Sequence, residues 1–210
     1  MYMNNCAKFL MLTLASITTM ACATQTGLSN NSIDGNTILK ARVIYVHGAG
    51  DDSTTWAEAL VKDETGLALD WKTTASHRQS APAKGYRLGL SLAAYLSPGV
   101  HTVYAHSAGA WVAQGMADGL VKLGRTEAFN IVFLDPFTAL SIFQPFAGAR
   151  MLGRNAASVE TWYTTLDPIP FTAGKVSAGE KYNLDDRIPL ESRGTTAHWA
   201  VIDLYMHDTR

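Results

Sequence analysis

Ser107 marks an abrupt change in the chain. Before it, Val100-His101-Thr102-Val103-Tyr104-Ala105 is β-branched and aromatic; after it, Ala108, Gly109 and Ala110 lead into the helix-forming run Trp111–Ala117. This predicts a strand, a sharp turn and a helix, with the serine held at the bend in a strained conformation. Only small residues fit two positions before and after such a serine, and Ala105 and Gly109 are small. A hydroxyl presented this way can act as a nucleophile, but it is weak at neutral pH and needs a base beside it. Histidine suits that role, because its pKa of about 6.5 lets it take and return a proton near neutrality. A carboxylate must fix the imidazole tautomer and stabilise the imidazolium. The oxyanion formed on attack needs two preorganised donors, each worth about 2.7–4 kcal/mol when removed.

Candidates for each part lie where apolar runs stop. His47-Gly48-Ala49-Gly50 follows Arg42–Val46, Asp135 follows Phe129–Leu134 before Pro136, and Asp167 follows Val159–Thr164 and Leu166, before Pro168. His198 opens the last helical stretch and is the expected base. The backbone N–H of Ala108 is one expected oxyanion donor, and that of Ala49 or Gly50 the other. Either Asp135 or Asp167 can be the acid, since geometry and not sequence position decides. The remaining histidines have plainer roles. His106 is expected to pack in the turn and His47 to orient its glycine loop; His77 and His101 show no partner, and His207 falls near the chain end.

The elements that must position these groups alternate. Arg42–Val46 and Phe129–Leu134 read as near-continuous apolar strands of a buried parallel sheet, with Leu67–Trp71 and Val159–Thr164 as further strands. Helical spacing runs from Trp56 through Ala59 and Leu60, over Tyr86–Leu96, after Ser107 to about Gly124, and over His198–Tyr205. Thr73–Lys84 and the stretch from Leu166 to Thr196 read as loops. Phe137–Arg154 is apolar and partly helical, and reads equally as a cover over the serine or as a core helix. Alternating strands and helices of these lengths imply an α/β protein with a mostly parallel central sheet and helices on both faces. In such sheets ligands bind beyond the carboxyl ends of the strands, which is where every candidate group falls.

The order nucleophile, acid, histidine is that of the α/β-hydrolases. Val46-His47-Gly48-Ala49-Gly50 resembles their oxyanion loop. Ala105-His106-Ser107-Ala108-Gly109 resembles the elbow of short bacterial lipases, which accept alanine at the first small position. Leu69-Asp70-Trp71, the Tyr86–Leu96 helix, His106–Ala110 and Phe133-Leu134-Asp135-Pro136 follow one another as similar pieces do in pancreatic-type lipases. The likeness covers residues 42–137 and then His198. Phe133 and Ala108 depart from that pattern, as does the absence of the family's disulfides, long lid and second domain. The resemblance implies a minimal single-domain, three-layer α/β-hydrolase fold over 38–210 and hydrolysis of carboxylic esters through an acyl-enzyme. It favours Asp135 as the acid, with Asp167 the alternative, which matches the position used in most other α/β-hydrolases. It does not carry over a preference for long-chain triglycerides. A thioesterase or amidase would use the same residues, and a retired hydrolase fold serving as a surface lipoprotein or binding module remains the other reading.

At 210 residues, 47% hydrophobic and 17% charged, the chain can bury one sizeable core. A net charge of −1 gives no reason to expect nucleic acid as a partner. Cys6 and Cys22 both lie near the start, so the body of the chain holds neither a disulfide framework nor a cysteine metal site. The chemistry expected here calls for no cofactor or metal, and a monomer acting on a small-molecule or lipid ester is expected. Lys8, the apolar run Phe9–Ile17 and Ala21-Cys22-Ala23 read as a secretory signal over 1–23. Cleavage before Cys22 would leave a lipidated, membrane-anchored N-terminus; cleavage after Ala23 would leave a soluble exported protein. Residues 24–37 are polar and read as a tether.

Overall fold

A computed structural model describes residues 38, 40–77, 79–172, 176–194 and 196–209. The signal and tether expected over 1–37 lie outside the described residues.

Six strands form one sheet: β1 (Val43–Val46), β2 (Gly66–Leu69), β3 (His101–His106), β4 (Phe129–Leu134), β5 (Ser158–Tyr163) and β6 (Glu180–Asn183). Their order is β2-β1-β3-β4-β5-β6 and every pairing is parallel. Helices follow the strands: α1 (Lys72–Ala75), α2 (Ala81–Leu92), α3 (Ala110–Lys122), α4 (Ala147–Met151) and α5 (Ala197–Asp208). After β2 the chain crosses to the other side of β1 to make β3, so the strand order reverses at β1, the kind of place beyond which open parallel sheets bind ligands. The register aligns those ends: Val46 lies opposite Ala105, Ala105 opposite Phe133, and Leu134 opposite both His106 and Trp162. Residues 47, 107 and 135 therefore leave the sheet at one edge.

Alternation along the strands sorts the core. Val132 and Leu134 of β4 pack with Val201, Ile202 and Tyr205 of α5 and with Trp56 and Leu60, and Tyr45, Tyr104 and Trp162 join them. Ile44, Val46, Val103, Ala105, Ile131 and Phe133 are also buried. Helices α2 and α3 touch backbone to backbone. A Cβ on Gly89 would stand 2.0 Å from the Val112 carbonyl oxygen, and one on Gly115 2.2 Å from that of Tyr86, so no larger residue fits this crossing.

Four expectations need correction. The helix expected from Trp56 is two short 3₁₀ turns, Ser53–Thr55 and Glu58–Leu60. Hydroxyls there compete for backbone groups: Thr55 Oγ1 donates to the Asp52 carbonyl at 2.6 Å. The loop expected over Thr73–Lys84 contains α1 and the first turn of α2, because Pro82 sits where a missing N–H costs nothing. The loop after Asp167 contains β6, whose polar Glu-Lys-Tyr-Asn sequence hides an edge strand paired on one side only. Finally, Phe137–Arg154 is not a core helix. Only Ala147–Met151 is helical, and Ile142 and Phe143 are 73% and 88% exposed.

Candidate active site

Ser107 follows β3 directly and begins a single 3₁₀ turn that runs into α3. Its φ is +51°, a left-handed conformation that costs a serine of the order of 1–3 kcal/mol. It is partly exposed, whereas its neighbours His106, Ala108 and Gly109 are buried. Surrounding structure holds the bend. A Cβ on Gly109 would fall 2.7 Å from the carbonyl oxygens of Val46 and His47, so the turn lies flat against the end of β1. The Ser107 carbonyl accepts the Phe137 N–H at 3.1 Å, and the Trp111 indole donates to the Phe137 carbonyl at 2.8 Å.

The glycine loop after β1 lies against the serine: a Cβ on Gly48 would be 3.0 Å from Ser107 Cβ. His47 fastens this loop. Its Nε2 accepts the Trp71 backbone N–H at 3.1 Å, which leaves Nδ1–H to donate to the Gly48 carbonyl at 2.9 Å. The Trp71 indole donates to the His47 carbonyl at 2.8 Å. His47 is thereby used up as a brace. Gly50 turns the loop at φ +81°. The Ala108 N–H stands second in a helical turn, where no carbonyl of that turn can accept it. Ala49 and Gly50 follow β1 and Ala108 follows β3, so the expected donors leave two adjoining strand ends.

His198 lies in the first turn of α5 and is 4% exposed. Its Nδ1 is 2.6 Å from Asp135 Oδ2 and 3.0 Å from Asp167 Oδ2, and both carboxylates are shielded from solvent. Sequence alone leaves the acid to one of two aspartates; the structure brings both to the same nitrogen. Asp135 follows β4 at φ +44°, its N–H donating to the Trp162 carbonyl at 2.7 Å. Asp167 follows β5 in the next loop, where its Oδ1 accepts the Ile169 N–H at 2.5 Å. Burial pulls the His198 pKa down, but the bonds to Asp135 and Asp167 outweigh it and push it up to about 9. Burial also pushes Asp135 up to about 6. Asp167 is likewise pushed up by burial, but its contact with His198 and the N–H it accepts from Ile169 win and hold it below the usual range.

His106 links the histidine to the serine turn. Its ring lies 4.4 Å from that of His198, and its Nε2–H donates to the His198 carbonyl at 3.3 Å. Burial, and then the neighbouring His198 charge, hold it well below its ordinary pKa, so it stays neutral. No hydrogen bond joins Ser107 Oγ to His198 among the described residues. In enzymes without substrate such bonds are often long and tighten only on binding. His101 does have a partner, the Ser97 carbonyl at 2.8 Å, and lies at the far end of β3.

Two contributors were missed from sequence. The Thr164 N–H approaches Asp135 Oδ1 at 3.5 Å, and Thr164 Oγ1 is itself fixed by Asp185 at 2.7 Å. The Trp199 ring lies 4.8 Å from that of His106, tilted by 40°. Its place beside His198 was the only signal for it; Thr164 gave none, since its contribution is a backbone group. Asp135, Asp167 and His198 are also the one group among the described residues with metal-like composition. Its 2.6 Å nitrogen–oxygen separation is that of a hydrogen bond. Two donors around one tetrahedral ion would stand roughly 3.3 Å apart, given bonds near 2.0–2.1 Å.

No protein-family model matches this chain, and no curated protein matches its sequence.

Proposed function

We propose that this protein is a serine hydrolase that cleaves carboxylic esters, built on a minimal three-layer α/β-hydrolase arrangement. The observation that carries the reading is the buried imidazole–carboxylate pair, His198 Nδ1 to Asp135 Oδ2 at 2.6 Å, at the sheet edge that also presents Ser107 with φ +51°. Unusual backbone conformations concentrate at functional sites. Two of the four non-glycine residues with positive φ among the described residues are Ser107 and Asp135.

In this reading Ser107 Oγ attacks the ester carbonyl carbon while its proton passes to His198 Nε2. The oxyanion is received by the N–H of Ala108 and that of Ala49 or Gly50. His198 then gives the proton to the departing alkoxide, and water attacks the acyl-enzyme by the same route. Neither metal nor cofactor enters these steps. An apolar ester is the substrate class we favour, because loops that follow the site-bearing strands β4 and β5, and the first turn of α5, expose Phe143, Ile142, Phe146, Phe171 and Trp199. The apolar run Phe9–Ile17 supports export. Intact mass of protein from the native cell should show loss of 21 to 23 residues, with a diacyl mass on Cys22 in the lipoprotein case; a full-length cytosolic chain would remove the export proposal.

The test is turnover of p-nitrophenyl butyrate by wild type and Ser107→Ala. The variant should lose about 10⁴-fold or more in kcat, retaining only what binding and the oxyanion donors give. Wild-type turnover in the purified variant would refute the reading.

A further inference from the structure

A Ser–His–acid site needs one carboxylate behind its histidine, and this one has two. Nδ1 carries a single hydrogen, yet Asp135 Oδ2 and Asp167 Oδ2 lie 2.6 and 3.0 Å from it. We propose that Asp135 and Asp167 are joint positioning residues: either alone holds His198 in the Nδ1–H tautomer, and together they surround that nitrogen with carboxylate on two sides. The proposal rests on the serine-hydrolase reading for its kinetic consequences.

The two acids are anchored independently. Asp135 is held by the end of β4, through its own N–H to Trp162 and through Thr164 N–H at Oδ1. Asp167 is held by a local turn, with Ile169 N–H at Oδ1 and Thr172 Oγ1 3.4 Å from Oδ2. Removing one carboxylate therefore leaves the other in place. When the only orienting carboxylate becomes an amide, its NH₂ can donate to Nδ1 and the ring adopts the wrong tautomer. A second carboxylate on the same nitrogen opposes that switch.

The charges around the ring are one-sided. The groups facing His198 are Asp135 from the end of β4, Asp167 from the loop after β5 and His106 from β3; its neighbour Trp199 on α5 has no charge. His106 is neutral, and Asp185 stands one step further out behind Thr164. Among the described residues no lysine or arginine is bonded to either acid; the imidazolium is their only cationic partner. His198 accordingly holds its proton up to about 9. A general base must first lose that proton, so the activity of the free enzyme should rise on the alkaline side of the usual histidine range.

The experiment compares full-length wild type, Asp135→Asn, Asp167→Asn and the double variant, each checked for folding by circular dichroism. Each single variant should lose about tenfold in kcat and the double about 10⁴-fold, the loss seen when a sole orienting carboxylate is amidated. The rising limb of kcat/KM against pH should move down by a unit or more in either single variant. A single variant as damaged as the double, or an unmoved limb, overturns joint positioning. A second measurement needs neither variants nor turnover: the ¹³Cε1 NMR titration of His198 in the wild-type protein. A midpoint well above 6.5 is expected, and one at or below 6.5 overturns the proposal. An inert wild type with a raised His198 midpoint would refute the hydrolase reading and leave the two-carboxylate arrangement standing.

Discussion

Two aspartates of this molecule are buried to a similar depth, and they differ in what surrounds them. Asp118, on α3, is 3% exposed and accepts from the Tyr86 hydroxyl (2.7 Å), Gln114 Nε2 (2.8 Å), Asn155 Nδ2 (2.7 Å) and Arg154 Nη2 (2.8 Å). Burial pushes its pKa up, but those donors outweigh burial and hold it below the usual range. Asp135 is fully buried and among the described residues has only His198 Nδ1 and a distant Thr164 N–H as donors, with a second carboxylate facing it; burial wins and carries it to about 6. A buried carboxylate saturated with donors is a permanent anion that ties elements together. One that shares its single good donor with another carboxylate leaves a proton free to move near neutral pH.

The largest expected difference comes from silencing each cluster. His198→Ala should lower kcat on p-nitrophenyl butyrate by about 10⁴-fold or more, the scale of losing the base of such a triad. Asp118→Ala should leave kcat within about twofold but lower unfolding free energy by about 3 kcal/mol, as expected when one partner of a buried ionic network is removed. Urea unfolding alongside steady-state kinetics separates the two. A loss of turnover in folded Asp118→Ala would erase the contrast.

An intermediate effect is expected at the serine turn. Gly109→Ala puts a methyl 2.7 Å from two carbonyl oxygens at the end of β1. The turn must shift, and a displacement near 1 Å costs about 10²-fold in rate. Steady-state kinetics of this variant should show that fall in kcat while circular dichroism stays native; full activity would show that the turn's position is not critical.

The smallest effect is on stability against pH. His198 has a folded pKa above its unfolded value, so its contribution is complete below about 6.5 and disappears as pH rises through about 9. Asp135, also raised, has lost its contribution by about pH 6. Asp118 is lowered; its contribution is present above its unfolded pKa and is lost only in acid. Melting temperature should therefore drop by a few degrees between pH 6.5 and 9.5 in wild type, and by less in His198→Gln. Equal slopes would remove His198 as the cause.

Much of this contrast is legible in the sequence on one side only. The strand ends bearing His47, Ser107, Asp135 and Asp167 could be read because apolar runs stop at them, and β4 falls on the expected residues Phe129–Leu134. The sharing of one nitrogen by two acids could not be read, since it depends on how the loop after β5 folds back toward α5. Asp118 gave no sign either, for it looks like any polar residue on a helix until Arg154 and Asn155 arrive from a distant loop. Strand β6 was hidden by its polar sequence, and the Ile142–Phe146 stretch read equally as a cover or a core helix because apolar composition cannot separate the two; it is largely exposed and not helical.

The central claim is that Ser107 is an activated nucleophile, and a fluorophosphonate probe tests it most directly, because only an activated serine reacts with it. Peptide mass analysis of the labelled wild-type protein should place one adduct on Ser107, with labelling abolished in Ser107→Ala and strongly slowed in His198→Ala. Absence of an adduct on Ser107 in folded wild-type protein, or labelling at an unchanged rate without His198, would contradict the account.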